Sequence, residues 1–320
     1  MSRGRSESRG PSRAALGMAL GLMAAGLAPV VAYAQDHAPY PDVADTTHAS
    51  PGAAAAFRAF FGPKSAHDPK ALMDRFSRNG VLYIDVTSGG IWPSWESLNA
   101  IFSGFLPKAP PQALSYPLRI YGDETSAVVA FVDTPQLFGR ELRILGAVSF
   151  DKDGRVIRWM DYWDGRSSGA KNVIGPAYPT DFHDDLGNAT GVIADAAKRL
   201  QQAFAASDAA AAAAMFSPDA TFEDMAMHSQ ILGRLAIQRY LARALGKAPY
   251  GPGAAVAHVV GSDQGGGYEW RAAPSFPMKR GITALALDEH GQITHLTVVY
   301  DGSLLSDADY RALAQLTVEP

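Results

Sequence analysis

Cysteine is absent from all 320 residues, which excludes disulfide scaffolds, thiol nucleophiles, zinc fingers and thiolate-held iron–sulfur clusters together. An excess of positive charge is also missing: 28 basic against 32 acidic side chains leave a net of -4. Such a balance gives no electrostatic reason to hold a polyanion, so no nucleic-acid partner is expected. No glycine loop opens a helix to cradle phosphate, and His228, His258, His290 and His295 share no H-x-x-x-H spacing. No cofactor and no metal are therefore expected, and any chemistry falls to carboxylates, hydroxyls and histidines. Beyond residue 34 no run approaches the roughly 20 apolar residues that cross a bilayer.

What the chain does have is apolar material for a core, 47% of its residues, and length for about two domains. Residues 1–34 stand apart. Arg3, Arg5, Arg9 and Arg13 precede an uncharged run from Ala14 to Val31, which closes on Ala32-Tyr33-Ala34. That is the layout of a signal peptide with a small-x-small cleavage site, and an uncleaved anchor is its alternative. Removing it takes four Arg and one Glu, leaving 24 basic and 31 acidic groups. The expected product is a periplasmic or secreted protein with no membrane contact after cleavage. Residues 35–51 read as a linker, rich in Ala, Pro, Asp, Thr and His without periodicity.

The remainder repeats itself. Gly104-Phe105-Leu106-Pro107-Lys108-Ala109-Pro110 aligns with Arg243-Ala244-Leu245-Gly246-Lys247-Ala248-Pro249, and the same offset sets Asp85 on Asp224. Tyr162-Trp163-Asp164-Gly165 matches Val299-Tyr300-Asp301-Gly302, and Asp153-Gly154 matches His290-Gly291. A divergent tandem duplication accounts for this order. Each copy puts helices first and strands later, so the expected class is α+β. Domain 1 is expected over 52–166, a Gly/Ser/Pro-rich linker over 167–187, domain 2 over 188–306 and a C-terminal tail over 307–320. In the second copy helices are expected at Ile193 to Ala206, Ala209 to Phe216 and Leu235 to Leu245, a strand at Thr221 to Met227, and turns at Gly265-Gly266-Gly267, Glu289-His290-Gly291 and Asp301-Gly302.

The stretch Met215-Phe216-Ser217-Pro218-Asp219-Ala220-Thr221-Phe222-Glu223-Asp224, followed by Gly233 and Leu235-Ala236-Ile237, resembles the NTF2-like superfamily: ketosteroid isomerases, SnoaL-like polyketide cyclases and their relatives. The resemblance covers the second copy and reaches the first through the repeat. It implies two tandem cone-shaped domains, each a curved antiparallel sheet wrapped around N-terminal helices and leaving an apolar pocket. In the isomerases the Asp of D-A-T-x-E-D is the general base, and Asp224 stands at that position. The positions matched to the isomerase oxyanion donors hold Leu200 and Thr283 instead.

A carboxyl inside an apolar pocket is pushed toward neutrality and becomes a competent acid or base. Strand alternation sets Phe222 and Asp224 on one face; Asp224 is either that base or the cap of a turn. The first copy is richer. Tyr83 and Asp85 share one strand face, and Trp159, Asp161 and Trp163 share another, so Asp85, Asp161 and Tyr83 form a second candidate set. The alternative for Asp161 is a structural pairing with Arg143 or Arg158. Trp92 and Trp95 either roof the pocket or belong to the core. The candidate ligand-binding set is completed by Tyr240, Leu296, Val298, Tyr300 and His228, which follows Asp224 by four. The resemblance and the aspartates together suggest an exported cofactor-independent isomerase, cyclase or lyase for a small hydrophobic carbonyl, polyketide, terpenoid or aromatic molecule. A non-catalytic binding protein is the alternative. Internal domain–domain packing is expected, with a homodimer as a further possibility, and one copy could serve only as a structural partner.

Overall fold

The computed structural model describes residues 38–168 and 187–318; the expected signal segment and most of the expected 167–187 linker lie outside them. The first copy runs β1 (Asp45–Ala49), α1 (Pro51–Ser65), α2 (Pro69–Met73), β2 (Leu82–Asp85), β3 (Gly90–Trp92), α3 (Trp95–Phe105), β4 (Ser115–Gly122), β5 (Ser126–Asp133), the single turn α4 (Pro135–Phe138), β6 (Leu142–Phe150), β7 (Val156–Trp163) and the short α5 (Gly165–Ser168). The second runs α6 (Val192–Ala205), α7 (Ala209–Ala213), β8 (Phe216–Asp224), β9 (Ser229–Leu232), α8 (Arg234–Ala244), β10 (Ala255–Ser262), β11 (Gly265–Arg271), β12 (Arg280–Leu287) and β13 (Ile293–Tyr300), with α9 (Asp307–Gln315) after it. The class is α+β, with one sheet per copy.

The strand orders are β1-β4-β5-β6-β7-β2-β3 and β10-β11-β12-β13-β8-β9, the same path apart from the extra edge strand β1. Hairpin-linked neighbours pair antiparallel, whereas β2 and β8 run parallel to β7 and β13. Each of those parallel pairs is closed by a long connection through the rest of its copy, which permits the parallel sense that a tight turn forbids. Local chemistry repeats too. Asp68 and Asp208 cap α2 and α7 through the amides of Ala71 and Ala211, each preceded by a left-handed residue, His67 or Ser207. The matched turns at Gly154 and Gly291 carry φ of 72° and 73°, which favours glycine.

Four expectations are corrected. The segment read as a linker contains β1, whose Thr46 and Thr47 suit extended backbone and which pairs with β4, and its Ser50 caps α1. The expected tail contains α9, capped by Ser306 and packed through Leu313. Phe216 opens β8 and does not end α7, because its position beside Ile293 gives it a strand partner. Gly265 to Gly267 are strand, not turn: they lie where the two sheets touch, and a Cβ at Gly267 would stand 2.9 Å from Val128 Cγ2.

One face of each sheet covers its helices. The other faces meet each other through Ile84, Val128, Leu145, Met160, Tyr162, Ile282, Ala284 and Val299. Within this contact Arg158 pairs with Glu269, both side chains fully buried, and the Tyr162 hydroxyl donates to Glu269. At one end the copies cap each other reciprocally. Gly302 N donates to Asp164 Oδ1 at 3.0 Å, and the matching Gly165 N donates to Asp301 Oδ1 at 3.1 Å. This exchange between equivalent residues is what a two-fold interface produces, here within one chain.

Candidate active site

Alternation along β7 decides what each side chain does. Arg158, Met160 and Tyr162 face the other sheet, while Trp159, Asp161 and Trp163 face the helices. The parallel register sets Tyr83 beside Trp159 and Asp85 beside Asp161. Tyr83, Asp85, Asp161 and Trp163 border a cavity of about 450 Å³, and Trp159 does not; the volume is within the range of small-ligand sites. Trp92, Phe102, Phe105, Phe138 and Leu142 supply its apolar wall. Its mouth holds Ile101 and Phe138, 40% and 44% exposed.

The polar groups of the cavity are interlinked. The Tyr83 hydroxyl donates to Asp161 Oδ2, and Trp159 Nε1 donates to Asp161 Oδ1 at 2.5 Å. Trp163 Nε1 and the Ser88 amide each donate to Asp85 Oδ1 at 2.9 Å, so Asp85 also caps the turn that follows β2. Burial, reinforced by the neighbouring Asp85 charge, raises Asp161 to about 7. Burial likewise raises Asp85, against the bonds from Ser88 and Trp163. Burial and the Asp161 carboxylate keep Tyr83 protonated well past its usual range. The arrangement offers one carboxyl that is half ionised near neutrality, a phenol bonded to it and a second carboxyl on the next strand. That is sufficient for proton abstraction and return at one carbon.

The pairing of Asp161 with Arg143 or Arg158, left open by the sequence, does not occur. Arg158 turns to Glu269 and Arg143 to Glu141, because both arginines fall on the strand face away from the cavity or at its exposed end. Trp92 lines the cavity, but Trp95 does not: its Nε1 donates to Met73 O, and the Arg78 guanidinium lies 3.9 Å above its ring.

The second copy has the same frame and a different interior. Phe222, Tyr240, Tyr250, Trp270 and Tyr300 interlock there, with ring centroids 5.3 to 6.4 Å apart. Leu296 and Val298 are fully buried in the same cluster. Asp224 is buried, and burial raises it to about 7. Its Oδ1 accepts from the Met227 amide at 3.0 Å, the same turn-capping bond that Asp85 makes. Asp224, His228 and Asp164 border a separate cleft of about 540 Å³. His228 is exposed and reaches Asp164 of the first copy at 3.4 Å, so it is not grouped with the aromatic interior. Among the described residues no group of three or more His, Asp or Glu is placed to hold a metal ion.

Sequence reasoning missed the Lys64–Asp133 pair, which also borders the cavity. Lys64 Nζ lies 3.0 Å from Asp133 Oδ1 and 4.9 Å from the centre of the Phe131 ring, with both charged side chains buried. The signal was present in α1: Phe57, Phe60, Phe61 and Lys64 share one helical stripe, and a lysine on an apolar stripe calls for a buried partner.

No protein-family profile matches this chain, and no curated protein matches it. Solved structures do. An NTF2-like protein of unknown function from Cytophaga hutchinsonii is 12% identical over 35% of this chain and 89% of its own length, with a TM-score of 0.29. A SnoaL-like protein of unknown function from Burkholderia thailandensis is 16% identical over 35% and 95%, with a TM-score of 0.31. An NTF2-like protein of unknown function from Mesorhizobium loti is 17% identical over 39% and 98%, with a TM-score of 0.30. Each likeness spans about the length of one copy.

Proposed function

We propose that the chain is an exported, cofactor-independent acid–base enzyme whose working site is the cavity of the first copy. Its substrate class is a small apolar carbonyl compound, and the second copy is a structural partner. The observation that carries this reading is Asp161: a buried carboxyl titrating at about 7, bonded to Tyr83, on the wall of a mainly apolar cavity. Asp161 would act as base and Asp85 would tune it. Abstraction of an α-proton by the Asp161 carboxylate forms a C=C bond while the carbonyl π pair moves to oxygen. The protonated Asp161 then delivers the proton to the γ-carbon of the dienolate while the oxygen pair re-forms the carbonyl, which isomerises a β,γ-enone without oxidant or reductant.

The test is proton exchange in deuterated water, followed by NMR across a panel of apolar ketones and β,γ-enones. Exchange lost in Asp161→Asn and kept in Asp224→Asn is the expected result; exchange that persists in Asp161→Asn refutes the reading. A specific observation favours a second one, a binding protein without chemistry. Both Asp161 oxygens already accept bonds from within the fold, from Tyr83 and Trp159. Saturable ligand binding with no exchange in the unaltered protein would select it.

A further inference from the structure

The frame common to both copies singles out one pair of side chains. Lys64 stands two residues before the helix cap Ala66, and its counterpart before the matching cap Ala206 is Phe204. Asp133 ends β5; carrying the register of β4 with β5 onto β10 with β11 sets Ala272 in its place. The second copy fills these positions with a phenyl ring and a methyl group, and its interior is an aromatic cluster. The fold therefore does not need an ion pair here. Charges at such depth are stabilised less than well-packed apolar side chains of like volume, so a buried pair confined to the copy with a cavity points to a ligand.

We propose that the Lys64 ammonium is the oxygen-binding subsite of the cavity, taking the carbonyl oxygen of the ligand whose α-carbon faces Asp161. This inference rests on the acid–base reading above for the role of that oxygen, and on geometry for its place. The ammonium has three N–H donors, and in this structure it is held between Asp133 and the ring of Phe131. Its charge reaches Asp161, whose ionisation it favours. The same charge would hold the enolate oxygen that forms when Asp161 takes the α-proton. On the cavity wall the Lys64 ammonium supplies a full positive charge for that oxygen. Asp133 is a positioning residue that fixes the ammonium.

The probe is para-nitrophenol, whose phenolate mimics an enolate oxygen on a flat apolar body and reports its ionisation by colour; nitrobenzene has the same shape without the oxygen. The intact protein is expected to bind the phenolate about tenfold or more tightly than nitrobenzene and to lower the pH at which the bound phenol turns yellow. The double variant Lys64→Met with Asp133→Asn, which leaves no lone buried charge, should lose that preference and still bind nitrobenzene. Lys64→Arg should keep it. A wild-type protein with no preference for the phenolate, or a double variant that retains it, overturns the proposal. Asp161→Asn separates the two readings: it should abolish exchange yet bind the phenolate at least as well, since a negative neighbour is removed. Phenolate preference without any exchange sinks the enzyme reading and leaves the subsite standing. Should the double variant fail to fold by near-ultraviolet circular dichroism, the wild-type preference and its survival in Lys64→Arg decide the matter.

Discussion

Replacing Asp161 by Asn is expected to stabilise this protein progressively as pH rises from about 4 to about 7, and fully above that. The Asp161 carboxyl is raised from 3.8 to about 7 by burial and the Asp85 charge. A carboxyl raised on folding favours the native state while it is protonated there. Its contribution is full below about pH 4 and is lost as pH climbs through about 7. Carrying the charge at higher pH then costs on the order of 4 kcal/mol relative to a carboxyl that titrates normally. Asparagine is never charged, its carbonyl can still accept from Trp159 Nε1, and its amide faces the Tyr83 hydroxyl. Little is lost in exchange. Urea unfolding of both proteins at a series of pH values should therefore give nearly equal stabilities near pH 4 and a variant more stable by about 2–4 kcal/mol near pH 8. A difference that does not vary between these limits, or an Asp161→Asn protein less stable at alkaline pH, would refute the placement of this carboxyl in a low-dielectric site. A stability gain together with loss of proton exchange in the same variant would be the trade-off expected at a catalytic centre.

Three further outcomes follow from the same contacts. The bond from the Tyr83 hydroxyl favours the ionised Asp161, so Tyr83→Phe should move the rising limb of the exchange rate, set by an ionised base, to higher pH by about one unit; an unmoved or acid-shifted limb contradicts the pairing. Arg158→Ala leaves Glu269 buried without its partner between the sheets, a loss of about 3–5 kcal/mol by denaturant titration, with part recovered in Arg158→Met combined with Glu269→Gln. A Cβ at Gly281 would stand 2.1 Å from Cζ2 of Trp270, so Gly281→Ala should cost about 1–3 kcal/mol in stability and leave phenolate binding by the first copy unchanged.

Much of the fold was legible in the chain. Strand and helix types follow from local spacing, and the matched Asp85 and Asp224, or Gly154 and Gly291, announce the duplication because equivalent turns need equivalent residues. The inward set Trp159, Asp161 and Trp163 also followed from alternation alone, since a strand has only two faces. Other features resisted because their cause lies elsewhere in the molecule. The three glycines of β11 read as a turn until the opposing sheet is present to exclude side chains from them. Arg158 was a candidate partner for Asp161, three positions away on β7, until the fold brought Glu269 from the other copy against the opposite strand face.

The sequence by itself determined the α+β class, the two copies and the residues able to move a proton. Tertiary structure decided which copy keeps open space between its sheet and its helices. Asp85 and Asp224 occupy the same place and make the same turn-capping bond, and neither neighbourhood in sequence tells them apart. The difference is volume summed from distant segments: Tyr250 from the loop after α8, Trp270 from β11 and Tyr300 from β13 converge inside the second sheet, while Lys64 from α1 and Asp133 from β5 meet inside the first beside open space. Whether an interior is filled depends on how side chains remote in the chain pack together, and no local pattern encodes that sum.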